Sequence, residues 1–218
     1  MKVIIDIGHH NYSTGAVCGG LREVDLNVSI CKTLVEELQR HGVNVITTTG
    51  SLQDRVNVEH KEQPSLFVSV HNNAGGGDGT EVLVYSKKEP QFTLAKNIEA
   101  ECLKLNNSRG IKERPDLYVL SKTNCPACLV ECAFMDSKDV ECIDEQHEQK
   151  AFGIAIAKGI LKTLKINYIE ETGQQEQNES KDKLYRVCIG AYKDKNNATK
   201  VVAEAKEKGF KDTYIVEG

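Results

Sequence analysis

The sequence predicts an α/β fold: a twisted, mostly parallel sheet flanked by helices, followed by a small strand-helix-strand unit at the C-terminal end. Two apolar runs carry the first part of this. Val3-Ile4-Ile5-Asp6-Ile7 and Leu66-Phe67-Val68-Ser69-Val70 are short and rich in β-branched residues, as strands buried on both faces are. The third observation is what lies around them, where apolar residues recur at helical spacing.

Gly8 breaks the first strand and leaves His9 at its carboxyl end, the edge where ligands and catalytic groups collect in open α/β sheets. Val24, Val28, Cys31, Val35 and Leu38 set a helix over 24–40, with Gly42 as its terminator. A strand over 43–47 follows. A short helix over 51–63 is capped by Ser51 and stops before Pro64. The strand over 66–70 ends at His71, and the glycines and Asx residues of 72–79 make a flexible loop. Next come a strand over 81–85, a helix over 90–105 and a polar, turn-rich stretch over 106–116. Short strands are expected over 117–120 and 127–130, the second ending at Glu131. An amphipathic helix over 148–164, with Phe152, Ile156 and Ile160 on one face, closes a first domain of residues 1–166.

Residues 167–183 are rich in Gln and Glu, carry five acidic and two basic residues, and read as a linker too polar to fold alone. Residues 184–218 give a strand (184–191), a helix (196–208) and a strand (213–216). At about 35 residues this unit needs help to be stable.

Composition bounds the function. The chain has 218 residues, 39% hydrophobic and 28% charged, as ordinary globular proteins do. A net charge of -4 and a pI near 5.9 argue against a nucleic-acid partner. No apolar run approaches the roughly 20 residues that span a bilayer. No leader pattern precedes the first strand, so cytoplasmic synthesis without a signal peptide is expected. The eight cysteines then read as free thiols, several of them in the core.

Three potential metal ligands stand in informative places: His9 after the first strand, Glu23 at the start of the first long helix and His71 after the central strand. Parallel strands gather such residues on one edge. Two histidines and a carboxylate suit a catalytic zinc with an open position. Glu131 is the further carboxylate that hydrolysis needs, to accept a proton from water and deliver one to a leaving amine. His10 is an alternative first ligand. Cys125-Pro126-Ala127-Cys128, with Cys132 nearby, has half of a zinc-knuckle spacing, but Cys128 falls inside an apolar strand and no second pair follows.

The order and spacing of several segments resemble the zinc-dependent N-acetylmuramoyl-L-alanine amidases of the amidase-3 family. They are Asp6-Ile7-Gly8-His9, Gly15-Ala16, Leu21 to Asn27, Leu66 to Ala74, Gly79-Thr80-Glu81, Arg109-Gly110-Ile111-Lys112, Leu117-Tyr118-Val119-Leu120 and Pro126 to Glu131. The resemblance spans residues 2 to about 165 and implies that family's phosphorylase/hydrolase-like fold. It implies His9, Glu23 and His71 as ligands of one zinc ion and Glu131 as general acid and base. The implied reaction is hydrolysis of the amide between N-acetylmuramic acid and the L-alanine of the peptidoglycan stem. Asp6, Asn72, Glu81 and Arg114 are candidates for supporting the ligands or touching substrate. The chain departs from the family at His10-Asn11 and Ser13-Thr14, where the family carries a glycine pair and an Asp, and at Ala133-Phe134, where it carries Gly-Phe.

Tyr185 to Tyr192, Asn196-Asn197-Ala198 and Lys208-Gly209-Phe210 resemble half of a SPOR-like wall-binding repeat. Two chains pairing their tails would complete its sheet, so a homodimer is expected, with peptidoglycan the other partner and neither nucleic acid nor membrane. A lytic enzyme made without an export signal, acting on the wall after release, resembles a phage endolysin. A sporulation-associated mother-cell lysin, a zinc peptidase cutting the stem and a non-catalytic wall-binding module are the alternatives. Glu131 separates the enzymes from the last, since a binder needs no free carboxylate beside a metal.

Overall fold

The computed structural model describes residues 1–10, 12–170, 192–210 and 213. In chain order the elements are β1 (Lys2–Ile7), β2 (Val17–Cys18), β3 (Leu21–Arg22), α1 (Glu23–Arg40), β4 (Asn44–Thr48), α2 (Leu52–Glu62), β5 (Leu66–Asn73) and β6 (Thr80–Val84). They continue with α3 (Gln91–Cys102), β7 (Ser108–Glu113), α4 (Tyr118–Lys122), β8 (Ala127–Phe134), a 3-10 turn at Lys138–Cys142, α5 (Gln146–Thr163) and α6 (Lys195–Glu207). The chain divides into two compact units, Met1–Glu170 and Glu171–Gly218.

The first unit is built on a six-stranded sheet in the order β4-β1-β5-β8-β6-β7. All neighbours run parallel except β6 and β8, which are antiparallel. This is the mostly parallel, helix-flanked sheet that the sequence predicts. Alternation along the strands sorts the core. Val3, Ile5, Val68, Val70, Cys128 and Val130 face one cluster with Leu26, Ile30 and Leu34 of α1, Leu94 and Ile98 of α3, and Phe152, Ile156 and Ile160 of α5. Ile4, Phe67, Leu83, Ala127 and Leu129 face the other way, against Val119 and Leu120 of α4. On this second face the carboxyl-terminal halves of β1, β5 and β8 carry Asp6, Ser69, His71 and Glu131, and the antiparallel β6 brings Glu81 to the same edge from its amino end.

The helix boundaries follow from local chemistry. Ser51 Oγ accepts the amide of Asp54 at 3.2 Å and starts α2, and Gln63, left-handed with φ 47°, ends it before Pro64. Glu145 and Glu148 close a capping box at the start of α5. Gly159 of α5 lies against α3: a Cβ there would stand 2.5 Å from the Ile98 Cα and 2.7 Å from its backbone nitrogen. Gly159→Ala is therefore expected to destabilise by about 1–3 kcal/mol through overpacking, outweighing the roughly 1 kcal/mol by which alanine favours a helix. Urea unfolding followed by circular dichroism checks this. Phe152→Ala, at a site with no exposed surface, is expected to cost about 3–5 kcal/mol in the same assay.

Two expectations are corrected. Residues 117–120, read as a strand, contain the start of α4, with Leu117 extended and Leu120 and Ser121 bonding back to its carbonyl. Val119 and Leu120 are adjacent and both buried in one cluster, which a strand's alternation forbids and one helical turn permits. Conversely the polar stretch 106–116 holds β7. It is an edge strand, so it has no apolar alternation to show. It bulges where Thr80 pairs with Ser108 but Val82 with Ile111, around Gly110 at φ 85°.

Seven cysteines among the described residues are free, and Cys31, Cys102, Cys128 and Cys132 are fully buried core residues. Burial pushes the Cys102 thiol up to about 12. Cys188 lies outside the described residues.

In the second unit Asp194 caps α6 by accepting the amide of Asn196 at 2.7 Å, close to the expected helix over 196–208. The strand expected over 184–191 lies outside the described residues, as does the one expected over 213–216 apart from Thr213. Among the described residues no helix is long and apolar enough to cross a membrane.

Candidate metal centre

The site begins where β1 stops. The Gly8 amide donates to the Val70 carbonyl at 3.0 Å, extending the β1–β5 register by one step and setting Gly8 beside His71. A Cβ at Gly8 would stand 2.6 Å from the His71 Cε1 and Nε2 atoms, so only glycine leaves room for the ring. His9 follows with φ 64°, a left-handed turn that ends the strand. The β2–β3 hairpin returns the chain to the same edge, and Glu23 is the first residue of α1.

Glu23 stands between the two imidazoles. Its Oε2 is 3.0 Å from His9 Nε2 and its Oε1 is 2.9 Å from His71 Nδ1. The His9 and His71 rings meet edge to face, centroids 5.0 Å apart. One ligand atom from each residue lies within 4.8 Å of the other two. Burial alone would raise the Glu23 carboxyl; the hydrogen bonds and charge of the two histidines outweigh it and hold the group well below the usual carboxylate range. His71 answers in kind: burial lowers it, but Glu23, Glu131 and Asp6 together hold it above an ordinary histidine. The carboxylate also accepts the amides of Ala16 at 3.0 Å and Asn72 at 3.3 Å. A Cβ on Gly15, whose φ is 72°, would overlap the Glu23 carboxylate and stand 2.8 Å from His9 Nε2.

Glu131 sits one strand over. His71 of β5 pairs with Glu131 of β8, which pairs with Glu81 of β6, so the three side chains share a row and a face. Glu131 Oε2 is buried and accepts no hydrogen bond among the described residues. Burial, opposed by His71 and reinforced by Glu23 and Glu81, pushes its carboxyl up to about 7. A half-buried carboxylate whose inner oxygen is unused, beside three ligand-type groups, is an arrangement for moving protons.

The other sequence candidates divide. Asn72 is buried: its amide meets Glu23 and its Nδ2 donates to Asn27 Oδ1 at 2.9 Å. Asn27, not singled out in the sequence, donates in turn to the Gly8 carbonyl at 3.1 Å. Glu81 is ion-paired with Arg109 and Lys112 of the bulged β7. Asp6 does not receive an imidazole N–H; it is held by Arg55 and by Ser69 Oγ at 2.6 Å. Arg114 pairs with Asp116 at 2.7 Å on the surface and meets none of the cluster. His10 forms a bridge with Ser13 and also stays outside it. The donor set of two imidazoles and one carboxylate, with Gly8 and Gly15 leaving the space between them clear, fits a zinc ion. The cysteines form no such group among the described residues.

The N-acetylmuramoyl-L-alanine amidase family of the amidase-3 type matches residues 3–162, most of the chain. The chain belongs to that family. A SPOR domain matches residues 154–217 of this amidase. A sporulation-specific N-acetylmuramoyl-L-alanine amidase of Bacillus subtilis is 29% identical over 99% of this chain and 85% of its own length. An endolysin of Bacillus phage SPP1 is 35% identical over 63% of this chain and 56% of its own length. Among solved structures, the amidase AmiC2 of Nostoc punctiforme is 31% identical, with a TM-score of 0.71 over 76% of this chain and 97% of its own. These likenesses support peptidoglycan amidase activity, and the sheet order described above is the amidase fold.

Proposed function

We propose that the chain is a zinc-dependent amidase that cleaves the bond between N-acetylmuramic acid and L-alanine in peptidoglycan. His9, Glu23 and His71 would hold the ion, and Glu131 would act as general base and acid. One observation carries the reading: His71, one of three clustered ligand-type residues, pairs across the sheet with Glu131, a carboxylate whose buried Oε2 has no hydrogen-bond partner among the described residues. When bound, zinc supplies a Lewis acid that polarises the scissile carbonyl and lowers the pKa of water. Glu131 takes the proton of the attacking water and later gives one to the alanine nitrogen. The C–N bond then breaks to leave a muramic carboxylate and a free amine. Burial raises the Glu131 carboxyl above the usual carboxylate range, the direction that suits a group that must both take and return a proton. Asp6 and Asn72 support the ligands, Glu81 pairs with Arg109 and Lys112 at the rim of the site, and Arg114 keeps only a substrate-contact reading.

Residues 1–166 form the catalytic part in this reading, 167–183 the linker and 184–218 the SPOR-like unit that holds the chain on the wall. Tail pairing between two chains is tested by light scattering of the whole protein, where a monomer would refute it. For the biological setting, the whole-length likeness to the sporulation-specific amidase favours a mother-cell lysin, while the endolysin likeness covers a smaller share of the chain.

Digestion of purified wall tests the bond. New L-alanine amino groups are expected; new reducing sugar ends, or amino groups from inside the stem alone, would overturn the reading. Gly15→Ala is expected to weaken zinc binding, because the new methyl group displaces the Glu23 carboxylate and the left-handed backbone costs about 1–2 kcal/mol. Competition with a chromophoric chelator measures this.

A further inference from the structure

We infer that Arg55 is a positioning residue for the metal centre, holding His9 in the backbone conformation that aims its imidazole at Glu23 and His71. The inference rests on the reading of His9 as a ligand. His9 is left-handed, at φ 64°, a region its own Cβ disfavours through contact with the following carbonyl. Such a residue persists when its surroundings over-determine it.

The surroundings are concentrated in one side chain. Arg55 Nη2 donates to the His9 carbonyl at 2.9 Å, and Nη1 donates to the Ile7 carbonyl at 2.9 Å. Nε donates to the Gly50 carbonyl at 3.0 Å. One guanidinium thus ties the carbonyls on both sides of Gly8 to the connection between β4 and α2. Thr49 Oγ1 adds a second donor to the His9 carbonyl at 2.8 Å. The guanidinium is itself aimed by Asp6, whose two oxygens each lie 2.9 Å from Nη1, and Asp6 is fixed by Ser69. The ion pair is buried, with side-chain exposures of 3% for Arg55 and 0% for Asp6.

Breaking such a pair from one side strands a charge in the core, so deletion of Arg55 alone would confuse folding with positioning. Arg55→Lys separates them. It keeps the charge opposite Asp6, but a single ammonium lacks the planar fork that reaches three carbonyls and a carboxylate together.

The test uses the whole chain stripped of metal. Zinc affinity is measured by chelator competition, and thermal unfolding is followed with and without zinc. Arg55→Lys is expected to bind zinc about 10- to 100-fold more weakly, as loss of a group that orients a ligand does, and to show a smaller zinc-induced rise in Tm. If it binds zinc as the wild type does while its Tm falls equally with and without metal, Arg55 is structural and the inference is overturned. Should Arg55→Lys fail to fold, the double variant Asp6→Asn, Arg55→Gln decides. It removes both charges of the buried pair together, so neither is stranded, and is expected to weaken zinc binding about 10- to 100-fold. Unchanged binding in the folded double variant overturns the inference. A wild-type chain that binds no zinc overturns the ligand reading itself, before any variant is compared.

Discussion

Glu131→Gln, in the zinc-loaded chain, is expected to slow release of L-alanine amino groups by about 10²- to 10⁴-fold while zinc binds as in the wild type. Glutamine keeps the volume and the place in β8, so the sheet row from His71 to Glu81 survives. What it loses is a group that can hold and release a proton. The split between lost rate and retained metal is the informative result, because no role in packing or in ligation predicts it. Amino-group release within tenfold of the wild type would take Glu131 out of the proton transfers.

Removal of the metal is the second large effect. Chelation is expected to abolish hydrolysis, with recovery on adding zinc, and His71→Ala to weaken zinc binding by more than about 100-fold, since loss of a mere supporting partner costs 10–100-fold. The pH dependence has a definite sign. Without metal, His71 keeps its proton to a higher pH than an ordinary histidine: burial opposes this, but Glu23, Glu131 and Asp6 prevail. Zinc must displace that proton, so its affinity is low in acid, rises with pH and levels off above the raised value. The metal-free fold behaves in the opposite way. A group raised on folding stabilises the native state below its unfolded pKa, and that contribution is lost as pH rises through the folded value. Metal-free Tm and zinc affinity should therefore change in opposite directions across one pH window. Isothermal titration in two buffers of different ionisation enthalpy counts the proton released.

Much of the site was legible because each candidate ended a strand or began a helix. The apolar runs before His71 and Glu131 placed both on one edge, and strand pairing then put them in register. Arg55 was not legible. Its segment, Leu52-Gln53-Asp54-Arg55, reads like any solvated helix face, and nothing local marks which arginine is folded inward. Asn27 was quoted within a motif but lay hidden for the same reason: its partners, Gly8 and Asn72, are remote in sequence. β7 escaped because an edge strand built of Ser, Arg, Gly and Lys has the composition of a loop. The strand expected at 117–120 failed for the converse reason, since two adjacent apolar residues satisfy either geometry until the packing partner is known.

The row Gly8, His71, Glu131, Glu81 has a consequence for quality control. Side chains alternate across a sheet, so a slip of β8 by one residue would turn Glu131 to the other face and bring Val130 or Cys132 in its place. No intermediate register retains a weakened carboxylate beside His71. An amidase wired this way is silent when β8 is misaligned, and hydrolysis becomes a readout of correct strand alignment in the centre of the sheet.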